Sequence, residues 1–82
     1  MANNGTMSFT IGGKRVSLSK NGIEDALKLA RPEPVKKYSV RVGGVDFPIK
    51  QAVALAAKMP TAAFITTDAY RILTRLGFEV KS

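Results

Sequence analysis

Two arginines near the C-terminus are the residues in this sequence best suited to bind an anion. Arg71 and Arg75 are four residues apart, which places them on one face of a predicted helix. The polar neighbours that share this exposed side are Thr67, Tyr70 and Thr74. The pattern indicates a helix face that could contact phosphates. The alternative is the solvated arginine face that ordinary helices carry.

A second basic group falls on predicted strands and on the segment between them. Successive side chains along a strand point to opposite faces, so the polar residues of the predicted strands lie on the side away from the apolar face. Most of the charged residues on this side are cations, with Asp46 the main exception. Such a face could lie along a phosphate backbone, or it could be an ordinary soluble face of an antiparallel sheet. The residues that we expect to contact nucleic acid are Lys14, Arg15, Lys36, Lys37, Arg41, Lys50, Tyr70, Arg71 and Arg75.

The net charge supports a polyanionic partner. Thirteen Lys and Arg residues against six Asp and Glu give a formal charge of +7 in 82 residues, with a pI of about 10.2. So large a positive potential on a small surface attracts polyanions and speeds their encounter. Charge alone does not distinguish DNA, RNA and an anionic membrane surface.

The composition offers few of the residue types that enzymes use for catalysis. The chain has no Cys and no His, which excludes disulfides, thiolate zinc sites, a cysteine nucleophile and the commonest general base. The six carboxylates form no tight cluster at metal-ligand spacing. We therefore expect a protein that is not an enzyme, with no catalytic residues, no metal and no cofactor.

Aromatic residues decide between the candidate polyanions. The four Phe residues fit the core, Tyr38 follows the inward alternation, and Tyr70 alone is placed outward. Proteins that bind single strands use several stacking aromatics, and no RRM or KH signature is visible. Double-stranded DNA is the expected partner, with RNA as the other nucleic acid. The competing hypothesis is a protein-interaction or self-assembly module, for instance a homodimer that uses the alanine-rich segment.

The elements that position these residues follow from an internal repeat. At an offset of 31 residues, the Gly12-Gly13 pair falls on Gly43-Gly44, and the flanking apolar residues coincide. Each copy alternates like a hairpin. Loops at Gly13-Lys14 and Gly44-Val45, in type II′ turns, would pair Ile11 with Val16, Phe9 with Leu18, Val42 with Phe47 and Val40 with Ile49.

A helix is predicted after each hairpin, and a third helix follows the repeat. Ser19 or Asn21 caps the first, the second runs from Gln51 to Met59, and Thr66 or Thr67 caps the third, which Gly77 ends. Pro48 predicts an edge strand or a bulge. The helix–connection–helix outline at 51–76 resembles a helix-turn-helix, although the connection is long.

The predicted architecture is α+β: two ββα units, a short helix and a closing strand, with the helices on one face of an antiparallel sheet. Residues 1–7 form a disordered tail and residues 8–82 one domain, with repeat units at about 8–32 and 38–60 and a C-terminal helix and strand at 66–80. No apolar run reaches the roughly 20 residues that cross a bilayer, and Met1 to Met7 do not resemble a signal peptide. We expect a cytoplasmic protein with no membrane partner, associated with the nucleoid if it binds DNA.

Overall fold

The chain folds as two β-β-α units followed by a helix and a short closing strand, so the predicted α+β class is confirmed. The computed structural model describes residues 6–35 and 37–82. Residues 1–5 of the predicted tail lie outside this part, and the first strand begins within that tail. The elements are β1 (Met7–Ile11), β2 (Lys14–Leu18), α1 (Lys20–Leu27), β3 (Ser39–Val42), β4 (Val45–Pro48), α2 (Ile49–Ala57), a 3₁₀ helix (Thr61–Ala63), α3 (Thr66–Arg75) and β5 (Val80–Lys81).

Both hairpins turn at the glycine pairs themselves. Gly12 and Gly13 have φ of 58° and 81°, and Gly43 and Gly44 have φ of 60° and 80°. Positive φ at both central residues is the type I′ turn, which glycine adopts without steric cost. The predicted type II′ turns at Gly13-Lys14 and Gly44-Val45 are therefore wrong.

The position of the turns sets the strand register. Phe9 pairs with Val16 and Met7 with Leu18 in the first hairpin, and Val40 pairs with Phe47 in the second. Each partner differs by two positions from the predicted pairing. A shift of two leaves every side chain on its predicted face, because side chains along a strand alternate with period two.

The strands form two sheets, where one was expected. The first sheet is the β1–β2 hairpin, and the second has the order β4-β3-β5 with antiparallel neighbours. β4 lies at an edge and ends at Pro48, as expected for a residue without a backbone N–H donor. Because α2 begins at Ile49, immediately after Pro48, Lys50 belongs to this helix and the prediction that it lies on a strand is wrong.

The helix ends follow backbone and side-chain hydrogen bonds. The Ser19 hydroxyl caps α1 by accepting a bond of 2.9 Å from the Gly22 N–H. α3 begins after Ile65, whose N–H donates to the Asp68 carboxylate, so the predicted Thr66 or Thr67 cap is wrong. The predicted end of α3 at Gly77 is confirmed, with a φ of 97°.

The core lies between the helices and the two sheets, with α2 at its centre. α2 contacts α1, α3, β2, β3 and β4 through a face that buries Ile49, Ala52, Val53 and Ala54. α2 ends at Ala57, two residues earlier than predicted, where Lys58 takes a left-handed conformation. No helix in the described part of the chain is long and apolar enough to cross a membrane.

The turn of the first hairpin is docked against the rest of the fold. A Cβ at Gly12 would lie 2.5 Å from the carbonyl oxygen of Ala63 in the 3₁₀ helix, whereas a Cβ at Gly43 would meet nothing within 4 Å. The first turn therefore packs on the segment that leads into α3, and the second turn projects into open space.

This difference predicts unequal costs for two matched substitutions. Gly12→Ala and Gly43→Ala both place a side chain at a φ near +60°, which costs about 1–2 kcal/mol. Gly12→Ala also forces Cβ against the Ala63 carbonyl, and we expect it to lower the free energy of unfolding by at least about 1 kcal/mol more. Chemical denaturation of the two variants measures the difference, and equal losses would contradict the docked turn.

Candidate functional site

The predicted site residues lie in three places on the molecule. The described ones are exposed, except for Lys50, which is half-buried, and Lys36 lies outside the described residues. Because the strands form two sheets, Arg15 and Arg41 do not share one sheet face, as the sequence had suggested. The candidates instead group around α3, beside the α2 N-terminus and on the second hairpin.

The first group lines a cleft between α3 and β1. Arg71 and Arg75 border a cavity of about 240 Å³, and the hydroxyl residues Ser8 and Thr10 of β1 line it as well. We call this cavity the arginine cleft; its lining residues are Ser8, Phe9, Thr10, Asp68, Arg71, Ile72 and Arg75. The arrangement brings two guanidinium groups and two hydroxyls around one concave surface, a donor set that suits phosphate oxygens.

The first hairpin adds cations next to the arginine cleft. Arg15 pairs with Thr10, one of the cleft residues, on the outward side of the hairpin. Lys14 is the first residue of β2 and pairs with Ile11, so it is not in the turn, where the sequence had placed it. Both are exposed and extend the positive surface beyond the cleft.

The second group lines a groove on the other flank of α3. One cavity of about 290 Å³ includes Lys37 and Lys50, and a second of about 230 Å³ includes Tyr70 and Thr67. Tyr38 and Thr66 line both cavities, so the two cavities adjoin each other. We call this surface the lysine–tyrosine groove and define it by Lys37, Tyr38, Lys50, Thr66 and Tyr70.

Aromatic rings hold the cations of the lysine–tyrosine groove. The Lys37 Nζ lies 5.4 Å from the centroid of the Tyr38 ring, and the Lys50 Nζ lies 5.6 Å from that of Phe64. Contacts of this kind contribute about 0.5–1 kcal/mol at exposed sites. They leave the ammonium charge available to an anion, because an aromatic face does not neutralise it.

Tyr38 is the groove residue that the sequence analysis missed. The alternation places it inward, and it does pack against the core while remaining half-buried. Its ring meets that of Tyr70 in an edge-to-face contact, with centroids 5.7 Å apart and an interplanar angle of 72°. The sequence carries no signal for this pair, because Tyr38 lies just before β3 and Tyr70 lies on α3, far apart in the sequence.

Among the candidate residues that the structure describes, Arg41 is the one that forms an ion pair. Its Nε lies 3.2 Å from the Asp46 Oδ1 across the second hairpin, and both side chains are about half exposed. This is the only ion pair within residues 6–35 and 37–82. Arg41 therefore contributes less free positive charge than Arg71, Arg75, Lys37 or Lys50.

Buried Gln51 fixes the segment between the repeats. Its side-chain oxygen accepts a hydrogen bond of 2.9 Å from the Glu33 N–H, and its amide donates one of 2.7 Å to the Arg31 carbonyl. These two bonds hold the segment against the first turn of α2, beside the lysine–tyrosine groove. The sequence signal for this role is an amide directly before the apolar run of α2 at residues 52–57.

Acidic residues line a different part of the surface. A cavity between α1 and the second hairpin is bordered by Glu24 and Asp25, with Lys28 as its one cation. Nowhere in the described part of the chain do three His, Cys, Asp or Glu residues come close enough to bind a metal ion. The arginine cleft and the lysine–tyrosine groove, by contrast, are each lined by two cations.

Comparison with protein families matches residues 7–82 to the family described as SCO5918-like. The chain belongs to this family. The SCO5918-like match spans both β-β-α units, α3 and β5. Neither the curated proteins nor the solved structures contain a significant match to this SCO5918-like chain.

The bonds of Gln51 predict that Gln51→Ala loosens the inter-repeat segment. The Arg31 and Glu33 backbone groups would lose their partners in a partly buried setting, which costs about 1–3 kcal/mol of unfolding free energy. Trypsin should then cleave after Lys37 faster than in the wild type. Leu55→Ala, on the exposed side of the same helix, is the control and should leave the cleavage rate unchanged. An unchanged rate in Gln51→Ala would contradict the role of Gln51.

Proposed function

We propose that this SCO5918-like protein binds double-stranded DNA through phosphate contacts and acts in the cytoplasm, on the nucleoid. The observation that carries the proposal is the arginine cleft. Arg71 and Arg75 are exposed on one flank of α3, face the hydroxyl residues of β1, and have no ion-pair partner in the described part of the chain. Unpaired arginines in a concave, hydroxyl-lined surface suit phosphate oxygens.

The shape of α3 supports a duplex as the partner. Its exposed side runs from Arg75 and Arg71 through Thr74 and Thr67 to Tyr70, with a cavity on either flank. An α-helix with its side chains is about 10–12 Å across and the DNA major groove is about 12 Å wide, so a helix that exposes this side can enter the groove. The major groove of A-form RNA is too narrow and deep for the same contact, which favours DNA over RNA.

The geometry of the α2–α3 connection argues against a helix-turn-helix mode of binding. Residues 58–65 separate the helices and include a 3₁₀ helix, whereas the motif uses a turn of about three or four residues. The contacts that we propose depend on the flank of α3 and on β1, and not on that motif. Cations of the first hairpin, Lys14 and Arg15, extend the contact along the backbone.

Salt dependence and a matched pair of variants test the proposal. We expect the wild type to bind a labelled 20-base-pair duplex with a slope of log K against log salt of about −4.5, for about five neutralised phosphates. The double variant Arg71→Gln/Arg75→Gln should reduce the magnitude of that slope by about 2, because it removes two phosphate contacts. Fluorescence anisotropy at several salt concentrations measures both values.

The control is Lys20→Gln/Lys28→Gln, which removes the same charge at the two ends of α1. We expect it to change the slope much less, because neither lysine lines the arginine cleft. Equal losses in the two double variants would indicate a general effect of charge and would contradict a localised interface. A stable dimer by sedimentation that ignores DNA would instead favour the self-assembly hypothesis, and tighter binding of duplex RNA would change the assigned nucleic acid.

A further inference from the structure

We infer that the lysine–tyrosine groove binds an unpaired nucleotide, so that the protein prefers a duplex with a single-stranded overhang to a blunt duplex. This inference rests on the proposed DNA binding and adds a second contact surface to it. The groove lies on the flank of α3 that faces away from the arginine cleft. When the arginine cleft on one flank of α3 contacts a duplex, an unpaired strand that extends from this duplex could therefore reach the groove on the other flank.

The stacking surface comes from the two tyrosines. Tyr70 is 44% exposed, and Tyr38 meets it edge to face. The Lys37 ammonium lies over the Tyr38 ring, so the exposed Tyr70 ring, which packs against Tyr38, is the surface onto which a base can stack. Base stacking on aromatic side chains is sequence-tolerant, because every base has a π-face. The groove therefore suits an unpaired nucleotide of any sequence.

The phosphate contacts come from the two lysines beside the tyrosines. Lys37 and Lys50 line the cavity that adjoins the tyrosine pair, and their ammonium groups are held over aromatic rings. Glu33 lines the same cavity and forms no ion pair with either of them. A nucleotide joins a planar base to a phosphate, and the groove offers an aromatic surface next to two cations.

The size of the groove and the structure of DNA restrict the occupant. The two adjoining cavities measure about 290 and 230 Å³, which together fall within the range of about 300–1,000 Å³ found for small-ligand sites. Base faces inside a duplex are covered by neighbouring bases. Only a base that has left the stack can therefore reach the tyrosine rings.

Three DNA probes of equal paired length test the inference by fluorescence anisotropy. They are a blunt duplex, the same duplex with a five-nucleotide overhang, and one whose overhang is abasic and carries the same phosphates. We expect the wild type to bind the normal overhang about fivefold or more tightly than the blunt duplex, with the abasic overhang close to blunt. Equal binding of the normal and abasic overhangs would show that only the added phosphates matter and would overturn the inference.

Four variants locate the effect. Tyr70→Ala should abolish the overhang preference, whereas Tyr70→Phe should retain it, because the ring remains. Lys50→Gln should reduce overhang binding, and Lys20→Gln is its matched control: its ammonium also lies over an aromatic ring, 5.3 Å from the centroid of Phe78, but outside the groove. Retention of the preference in Tyr70→Ala would overturn the inference.

Binding of the blunt duplex distinguishes this inference from the proposed binding of double-stranded DNA. Salt-dependent binding of the blunt duplex with no gain from an overhang overturns the inference and leaves DNA binding intact. Failure to bind either probe at low salt overturns both.

Discussion

Helix α2 packs against β2 of the first sheet, β3 and β4 of the second sheet, and both other helices, and this shared contact fixes how the two β-β-α units sit together. Its buried face is built largely from small residues, which permit close approach of the surrounding elements. A two-stranded hairpin is marginal on its own, so each unit depends on this helix for its order. The same helix positions Lys50 and, through Gln51, the segment that carries Lys37.

Residue alternation was enough to predict the faces of the strands but not their register. Gly12-Gly13 and Gly43-Gly44 permit positive φ at either position, so more than one turn placement fits the glycines. A shift of two residues preserves the apolar face, and the hydrophobic pattern therefore cannot exclude it. The predicted start of α3 was also wrong. The Ile65 N–H donates to the Asp68 carboxylate, which makes Ile65 the N-cap, and the two threonines that follow looked equally suitable as caps in the sequence.

The local sequence pattern was also enough to predict that the candidate residues are exposed. It was not enough to predict which of them lie together on the surface. The arginine cleft forms because β1 lies beside α3, a contact between the two ends of the chain. The lysine–tyrosine groove depends on the immediate passage from Pro48 into α2, which carries Lys50 away from the strands. Tyr38 and Tyr70 are in contact although they are distant in sequence. Such long-range contacts depend on how the helices and strands pack together, and the local sequence pattern does not specify that packing.

The scarcity of ion pairs has a consequence for the stability of the fold itself. With a formal charge of +7 and one ion pair in the described part of the chain, the native state brings like charges together that the unfolded chain keeps apart. Added salt screens this self-repulsion, so it should strengthen folding while it weakens any contact with phosphates. A bound polyanion relieves the same repulsion, and by mass action it stabilises the state that binds it. A polyanion that binds this basic surface would therefore also stabilise the folded state of the protein.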